Sequence, residues 1–312
     1  MSSSRPANIP ASVRQRLLNI AKERGEAFNL ILTRYALERL LYRMSISEFR
    51  DSFLLKGAML HSLWYDKPFR ATKDLDLLGY GSAEIDAMVN TFRAICGVPA
   101  VADGVEFEPT SVRGIDIRVE DEYQGVRIVM NSTLAGAKIP LQIDIGFGDV
   151  VIPNPETVTY PTLLGFPPPT LRAYSRYSVV AEKFQAMVKL DLANSRMKDF
   201  FDVWAMCRVM AFEGAVLSKA LKATFGRRTT AIPLDLPPAL TSEFGTDSVK
   251  RTQWAAFLRK NETIKEKEEL SKVLELLRVF LLPPTLAAAN DNPFDFAWPP
   301  GGPWAEKEKG SG

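Results

Sequence analysis

Two aspartates, Asp74 and Asp76, interrupt the apolar run in RATKDLDLLGYG, residues 70–81. In a strand, positions 74 and 76 share one face, while Leu75 and Leu77 take the other. Carboxylates about 6–7 Å apart along a strand repel each other unless a cation or solvent offsets their charge. The spacing therefore predicts either a divalent metal site or a solvated strand end. A two-metal phosphoryl-transfer site needs acidic oxygens that hold cations and bridge phosphates, and a third aspartate from a neighbouring strand would complete it. Asp144 in LQIDIGF and Asp116 in GIDIRV are the candidates. Asp116 shares its face with Arg118 and Glu120, the pattern of a solvated sheet surface. Asp144 shares its face with Gln142 and Gly146, where a missing side chain leaves room for a ligand, so Asp144 is preferred.

Upstream, LLKGAML places Gly57 at an apparent helix start, where free backbone N–H groups and the helix dipole can hold phosphate. The alternative is a turn or close-packing glycine. Lys56, Arg70 and Thr72 bring positive charge or a hydroxyl donor to the same stretch. Downstream, Val180, Phe184, Met187 and Val188 form the apolar stripe of a helix over 179–193, with Lys183 near its border. Lys183 reads either as a functional cation or as a snorkelling surface lysine. On the next helix Asp199 and Asp202 are i, i+3 neighbours, open to reading as first-turn acids or surface ion pairs. Phe200, Val203, Trp204 and Val209 read as its core stripe. Lys183 lies 12 residues before Ser195 and Asp202 lies 7 after it. A simple antiparallel hairpin would therefore leave them offset by about 7 Å.

The chain has 312 residues, is 46% hydrophobic and 24% charged, and carries a net charge of +2, an ordinary globular balance. A single histidine, His61, excludes a His-based zinc site and any mechanism that needs two histidines. A Ser–His–Asp triad would depend on His61 in a helix-like stretch, a poor position for it. Any chemistry thus rests on carboxylates, lysines and arginines. Cys96 and Cys207 provide no disulfide framework. No apolar run approaches the ~18–20 residues of a membrane span, and the N-terminus lacks a signal-peptide core, so a cytoplasmic protein is expected.

Apolar spacing predicts two helices between residues 11 and 43, joined near Gly25, after a mobile arm over 1–10. SFLLKGAMLHSLWYD passes Gly57 into a further helix, RATKDLDLLGYG is a strand, and residues 83–96 are helical. Strands over 112–119, 126–134 and 139–148, separated by short turns, suit an antiparallel meander. Prolines from 153 to 169 mark a connector. Two amphipathic helices flank NSR, residues 216–282 are mostly helical, and composition predicts a disordered tail. The expected fold class is α+β, a small mixed or antiparallel sheet with helices followed by a mostly helical domain. The expected bounds are an arm and helix over 1–34, a catalytic domain over 35–165, a helical domain over 170–285 and a tail over 286–312.

YALERLLYRMS, FLLKGAMLHSLWYDKPFRATKDLDLLGYG, LQIDIGFGD and YSVVAEKFQAMVKLDLANSRMKDFFDVWAM occur in an order that resembles the AbiEii/MenA-type nucleotidyltransferase toxins. These are a branch of the DNA polymerase β-like nucleotidyltransferases, and the resemblance runs from roughly Tyr35 to Met210. It implies a nucleotidyltransferase domain in which Gly57, Asp74 and Asp76 match the first motif. The residue after the glycine is Ala58 instead of Gly or Ser, which leaves only backbone contacts to phosphate there. Asp144 matches the second motif, Lys183 the third, and Asp199 and Asp202 the fourth, with the choice between these two left open.

The resemblance implies that Asp74, Asp76 and Asp144 bind Mg²⁺ or Mn²⁺, and that Asp144 activates the acceptor hydroxyl. Lys183 would contact phosphate, with Asp199 or Asp202 positioning it. It further implies an NTP substrate, an RNA acceptor such as the tRNA 3′ end, a separately encoded antitoxin, and a link to phage defence or growth arrest. A basic groove around Arg227 and Arg228 or Lys250 and Arg251 would suit RNA. The alternatives are a nucleotide-binding regulator without catalysis, a partner-binding adaptor, or a transferase acting on a protein or small molecule.

Overall fold

The structure, a computed structural model, describes residues 8–65, 72–119, 123–261, 264 and 266–307. The chain forms two compact units, Met1–Gly148 with Glu156–Ala173, and Asp149–Pro155 with Tyr174–Gly312.

The first unit begins with α1 (Ile9–Arg24) and α2 (Phe28–Ser45). Gly25, at φ 65°, closes α1 in the left-handed conformation that glycine tolerates, as the sequence leads one to expect. Then come β1 (Phe53–Lys56), α3 (His61–Trp64), β2 (Asp74–Gly79), α4 (Ile85–Cys96), β3 (Val105–Phe107), β4 (Arg113–Val119), β5 (Tyr123–Leu134), β6 (Ala137–Phe147), β7 (Glu156–Thr159) and β8 (Thr170–Ala173). One mixed sheet runs in the order β3-β5-β6-β2-β1-β8-β7, with β4 also along β5. The β2–β6 and β1–β8 pairs are parallel and the others antiparallel. This is the expected α+β class.

Alternation along the strands divides the sheet into two faces. Leu75, Leu77, Ile128, Ile143 and Ile145 are buried on one, where α2 and α4 pack. The opposite face carries the polar set at positions 74, 76, 127, 142 and 144. Four strands, β1, β3, β7 and β8, go beyond the expectation. Phe53, Leu54 and Leu55 are all buried, so β1 lacks the polar alternation that marks a strand. The proline-rich connector contains β7, an ETVT segment at the sheet edge, where flanking prolines are tolerated.

The second unit comprises α5 (Arg176–Leu190), α6 (Met197–Val209), β9 (Phe212–Glu213), α7 (Gly214–Arg227), α8 (Ser242–Thr246), α9 (Ser248–Lys260), α10 (Leu270–Ala289), β10 (Phe296–Trp298) and β11 (Ala305–Glu306). Helices α5, α6, α7 and α10 enclose Phe184, Phe200, Leu221, Phe225, Leu277 and Phe280, all fully buried. Val209, expected in that core, is 46% exposed because it ends its helix.

Residues 286–307 depart from the expected disorder, and residues 308–312 of that tail lie outside the described residues. Helix α10 continues through Pro283 and Pro284 to Ala289, and β10 pairs with β9 and β11. Trp298 is fully buried, and its indole N–H donates to the Cys207 carbonyl at 2.6 Å. Trp304 stacks on Phe280. Aromatic anchors supply enough apolar burial to order a stretch whose Asn, Pro and Gly content reads as disorder.

Candidate active site

Strand register assembles the polar face. Lys56 lies opposite Asp76 in the β1–β2 pair, Asp76 opposite Asp144 in β2–β6, and Asp144 opposite Arg127 in β5–β6. One row across four strands therefore reads Lys56, Asp76, Asp144, Arg127. Asp74 lies one step along, opposite Gln142. Neighbouring strands sit about 4.8 Å apart, so the acids of this row share one local field. Asp116 pairs instead with Val126, in register with the buried face, at the exposed β4 edge. The structure thus brings Asp144 beside Asp76 and leaves Asp116 out.

Gly57 has φ +72°, and a β-carbon there would overlap the Asp76 carboxylate. Only glycine permits this turn to lie so close to that side chain. A 3-10 turn, Gly57–Leu60, and the four-residue α3 follow, instead of the longer helix expected. Ala58 is buried in that turn. The room left by Gly146 is bordered by Lys56, whose Nζ would stand 3.6 Å from a β-carbon placed there. Thr72 donates its hydroxyl to the Asp74 carbonyl at 3.2 Å, a local turn contact. Arg70 lies outside the described residues. His61 is buried against the rings of Trp64 and Tyr65.

Arg127 is the residue that sequence reading missed. Its Nε donates to Asp144 Oδ1 at 2.7 Å and its Nη2 to Oδ2 at 2.8 Å, a two-pronged ion pair. Gln142 adds its amide, 3.3 Å from Asp144 Oδ2 in one orientation and 3.3 Å from Arg127 in the other. The hydrogen bond to Asp144 holds the guanidinium in its charged form against partial burial, with help from the charges of Asp144, Asp74 and Asp76. The signal was present as an arginine at an alternating position in VRIVM, but pairing register was needed to aim it.

Asp74, Asp76 and Asp144 are hard oxygen donors of the kind that suit Mg²⁺ or Mn²⁺. Among the described residues, no group of three His, Cys, Asp or Glu side chains converges into a ready cage. The residues fit the looser mode in which one or two carboxylates hold Mg²⁺ together with substrate phosphates and water. Beyond Asp74, where β6 runs past the start of β2, lies a cleft of about 500 Å³. Lys73, Asn131, Lys138, Pro140 and Gln142 are among its lining residues, and the volume is that of a small-molecule site.

The second unit holds a different cluster. Lys183 Nζ lies 2.7 Å from Asp199 Oδ1 and 2.9 Å from Asp202 Oδ2, and Arg196 Nε lies 2.7 Å from Asp199 Oδ2. Both acid side chains are 1% exposed and that of Lys183 is 14% exposed. The expected 7 Å offset is absent because the link is no simple hairpin. A 3-10 turn at Asp191–Ala193 and an irregular link through Asn194, whose side chain accepts from the Arg196 amide, re-register the two helices. Burial pushes the Asp199 carboxyl up, but Lys183 and Arg196 outweigh it and hold the group below the usual carboxylate range. Both acids hold the lysine, so geometry does not single out one of them.

Arg228, expected in a basic groove, is committed to Asp149 at 3.1 Å and Glu182 at 3.3 Å and donates to Gln185. Lys250 donates to the Asn194 carbonyl at 2.9 Å and stands over the Phe244 ring. Arg227 and Arg251 are exposed.

The sequence matches the family described as "Nucleotidyl transferase AbiEii toxin, Type IV TA system" over residues 39–276. No curated protein matches the chain. Two solved structures from Helicobacter pylori are similar to the chain. JHP933 has a TM-score of 0.45 and 12% identity, with 85% of this chain and 91% of that one covered. A protein described as a candidate nucleotidyltransferase has a TM-score of 0.46 and 13% identity, with 85% and 94% covered. Among the described residues, no helix is long and apolar enough to cross a membrane.

Proposed function

Because the chain belongs to the AbiEii nucleotidyltransferase toxin family of type IV toxin–antitoxin systems, we propose that its polar sheet face transfers nucleotides from an NTP to RNA. The acceptor we infer is the 3′ end of a tRNA, and the setting is the cytoplasm of a cell that also makes the cognate antitoxin. Growth arrest or phage defence would be the consequence. The observation that carries this reading is the register row Lys56–Asp76–Asp144–Arg127 with Asp74 beside it, which gathers three acids and two cations on one face.

Asp74 and Asp76 would hold Mg²⁺ or Mn²⁺ together with the triphosphate. Bound there, the cation would supply neutralisation of the phosphate charge. Asp144 would accept the proton of the attacking hydroxyl at a carboxylate oxygen as that hydroxyl's oxygen bonds to the α-phosphorus and the bond to the departing pyrophosphate breaks. Lys56 and the backbone of the Gly57–Ala58 turn would orient the triphosphate, and the cleft beyond Asp74 would take a nucleoside. Lys183, held by Asp199 and Asp202, is proposed as a fixed cation of the second unit, with phosphate contact as the role to be tested.

The test is incubation with Mg²⁺, total RNA and each labelled NTP in turn. Label in RNA that disappears with Asp76→Asn is expected. Label in protein would replace RNA with a protein acceptor. No label with any NTP would support a regulator or partner-binding protein instead.

A further inference from the structure

Asp144 is needed at the centre of the row, yet both of its oxygens are engaged by one guanidinium. A two-pronged arginine pair occupies one of the two lone pairs on each oxygen, leaving no chelating edge for a cation, and its charge repels a divalent ion. The same arginine reaches solvent. Its side chain is 36% exposed and that of Asp144 is 22% exposed, so neither is locked in the core. Lys56 stands at the other end of the row, with Asp76 between and Asp74 one step along the same face. The absence of a three-carboxylate cage among the described residues agrees with an Asp144 turned toward Arg127.

We infer that Arg127 is a positioning residue that competes with the divalent cation for Asp144 and is drawn off it by substrate phosphate. This rests on the nucleotidyltransferase reading above and extends it. A guanidinium matches phosphate as well as carboxylate, with the same two-pronged geometry. Arriving triphosphate therefore offers Arg127 a second partner of higher charge. Once Arg127 turns to phosphate, Asp144 can join Asp74 and Asp76. Metal capture and nucleotide binding are then coupled, and the coupling is reciprocal. The site stays low in affinity for free cations and gains its third acid when the substrate is in place.

The test needs no turnover. Mn²⁺ alone is titrated into the full-length protein, and tripolyphosphate is titrated separately in the presence of EDTA. Arg127→Gln should bind Mn²⁺ about tenfold more tightly than the parent, within the roughly 5–150-fold range usual for coupled sites. It should also bind tripolyphosphate more weakly. Arg127→Lys keeps the charge but loses the fork, so it should fall between the two; it also serves if the Gln variant is unstable. Unchanged or weaker Mn²⁺ binding by Arg127→Gln, with Arg127→Lys like the parent, would overturn the inference and make Arg127 a support for Asp144. Asp76→Asn separates this from the parent reading. If Asp76→Asn abolishes Mn²⁺ binding while the Arg127 variants change nothing, only the competition fails. If Asp76→Asn binds Mn²⁺ like the parent, the cation site itself is elsewhere.

Discussion

The two charged clusters use the same residue types to opposite ends. On the sheet face, Asp74 is exposed, Asp76 and Asp144 are half-buried, and the row is bounded by two long, flexible cations. Between α5 and α6, Asp199 and Asp202 are sealed around the Lys183 ammonium at 2.7 and 2.9 Å. Solvent screens the first set, so each charge can be exchanged for a ligand's at small cost. The second set has lost its solvent, so removing one member strands the others in a low-dielectric interior. Motif resemblance assigns both sets to one reaction, whereas burial says that they will fail differently when mutated.

The largest expected effect belongs to the sealed cluster. Lys183→Met leaves two buried carboxylates without their shared cation and should cost about 3–5 kcal/mol of stability. A denaturant titration reads this directly. Activity per folded molecule then separates a phosphate contact from a structural lysine. Next comes the open row. Asp144→Asn keeps shape but loses charge and should lower turnover by about 10²–10³-fold, while Asp116→Asn should not change it. The reverse pattern would move the third acid to the β4 edge.

Gly57→Ala should be milder, because a side chain at φ +72° pushes against Asp76. About 1–2 kcal/mol of backbone strain is expected, with a drop in activity as Asp76 is displaced. Thermal melting alongside a transfer assay would detect both. The smallest effect is the pH response. A carboxyl held below its ordinary value contributes stability that is present above the unfolded pKa and is lost as pH falls through the folded one. The midpoint of denaturation should therefore decline below about pH 4, and Asp199→Asn should flatten that decline. Full sensitivity in the variant would assign the acid limb to another group.

Alternation was enough to place Asp74 with Asp76, since face is a property of the strand alone, whereas Asp144 and Asp116 both alternate with apolar residues and only their face neighbours favoured Asp144. It could not reveal Arg127 or the pairing of Lys56 with Asp76, because register belongs to two strands at once. The continuous apolar run of β1 hid a strand for the related reason that both of its faces are buried. At the Lys183 cluster, residue counting assumed a plain hairpin, and a 3-10 turn at Asp191–Ala193 changed the outcome. The C-terminal stretch was misjudged by composition, because Trp298 and Trp304 act through where they dock and not through how many polar residues surround them.

If the open row binds the metal–nucleotide complex, ligand should stabilise the folded protein against heat through that row. A ligand that binds only the folded state raises the melting temperature by mass action, and the rise disappears when its site is removed. With Mg²⁺ and an NTP present, the parent protein should melt higher than it does alone. Asp76→Asn should melt like the parent without ligand and show no rise when ligand is added. A full ligand-induced rise in Asp76→Asn would place nucleotide binding away from the Asp74–Asp76–Asp144 face.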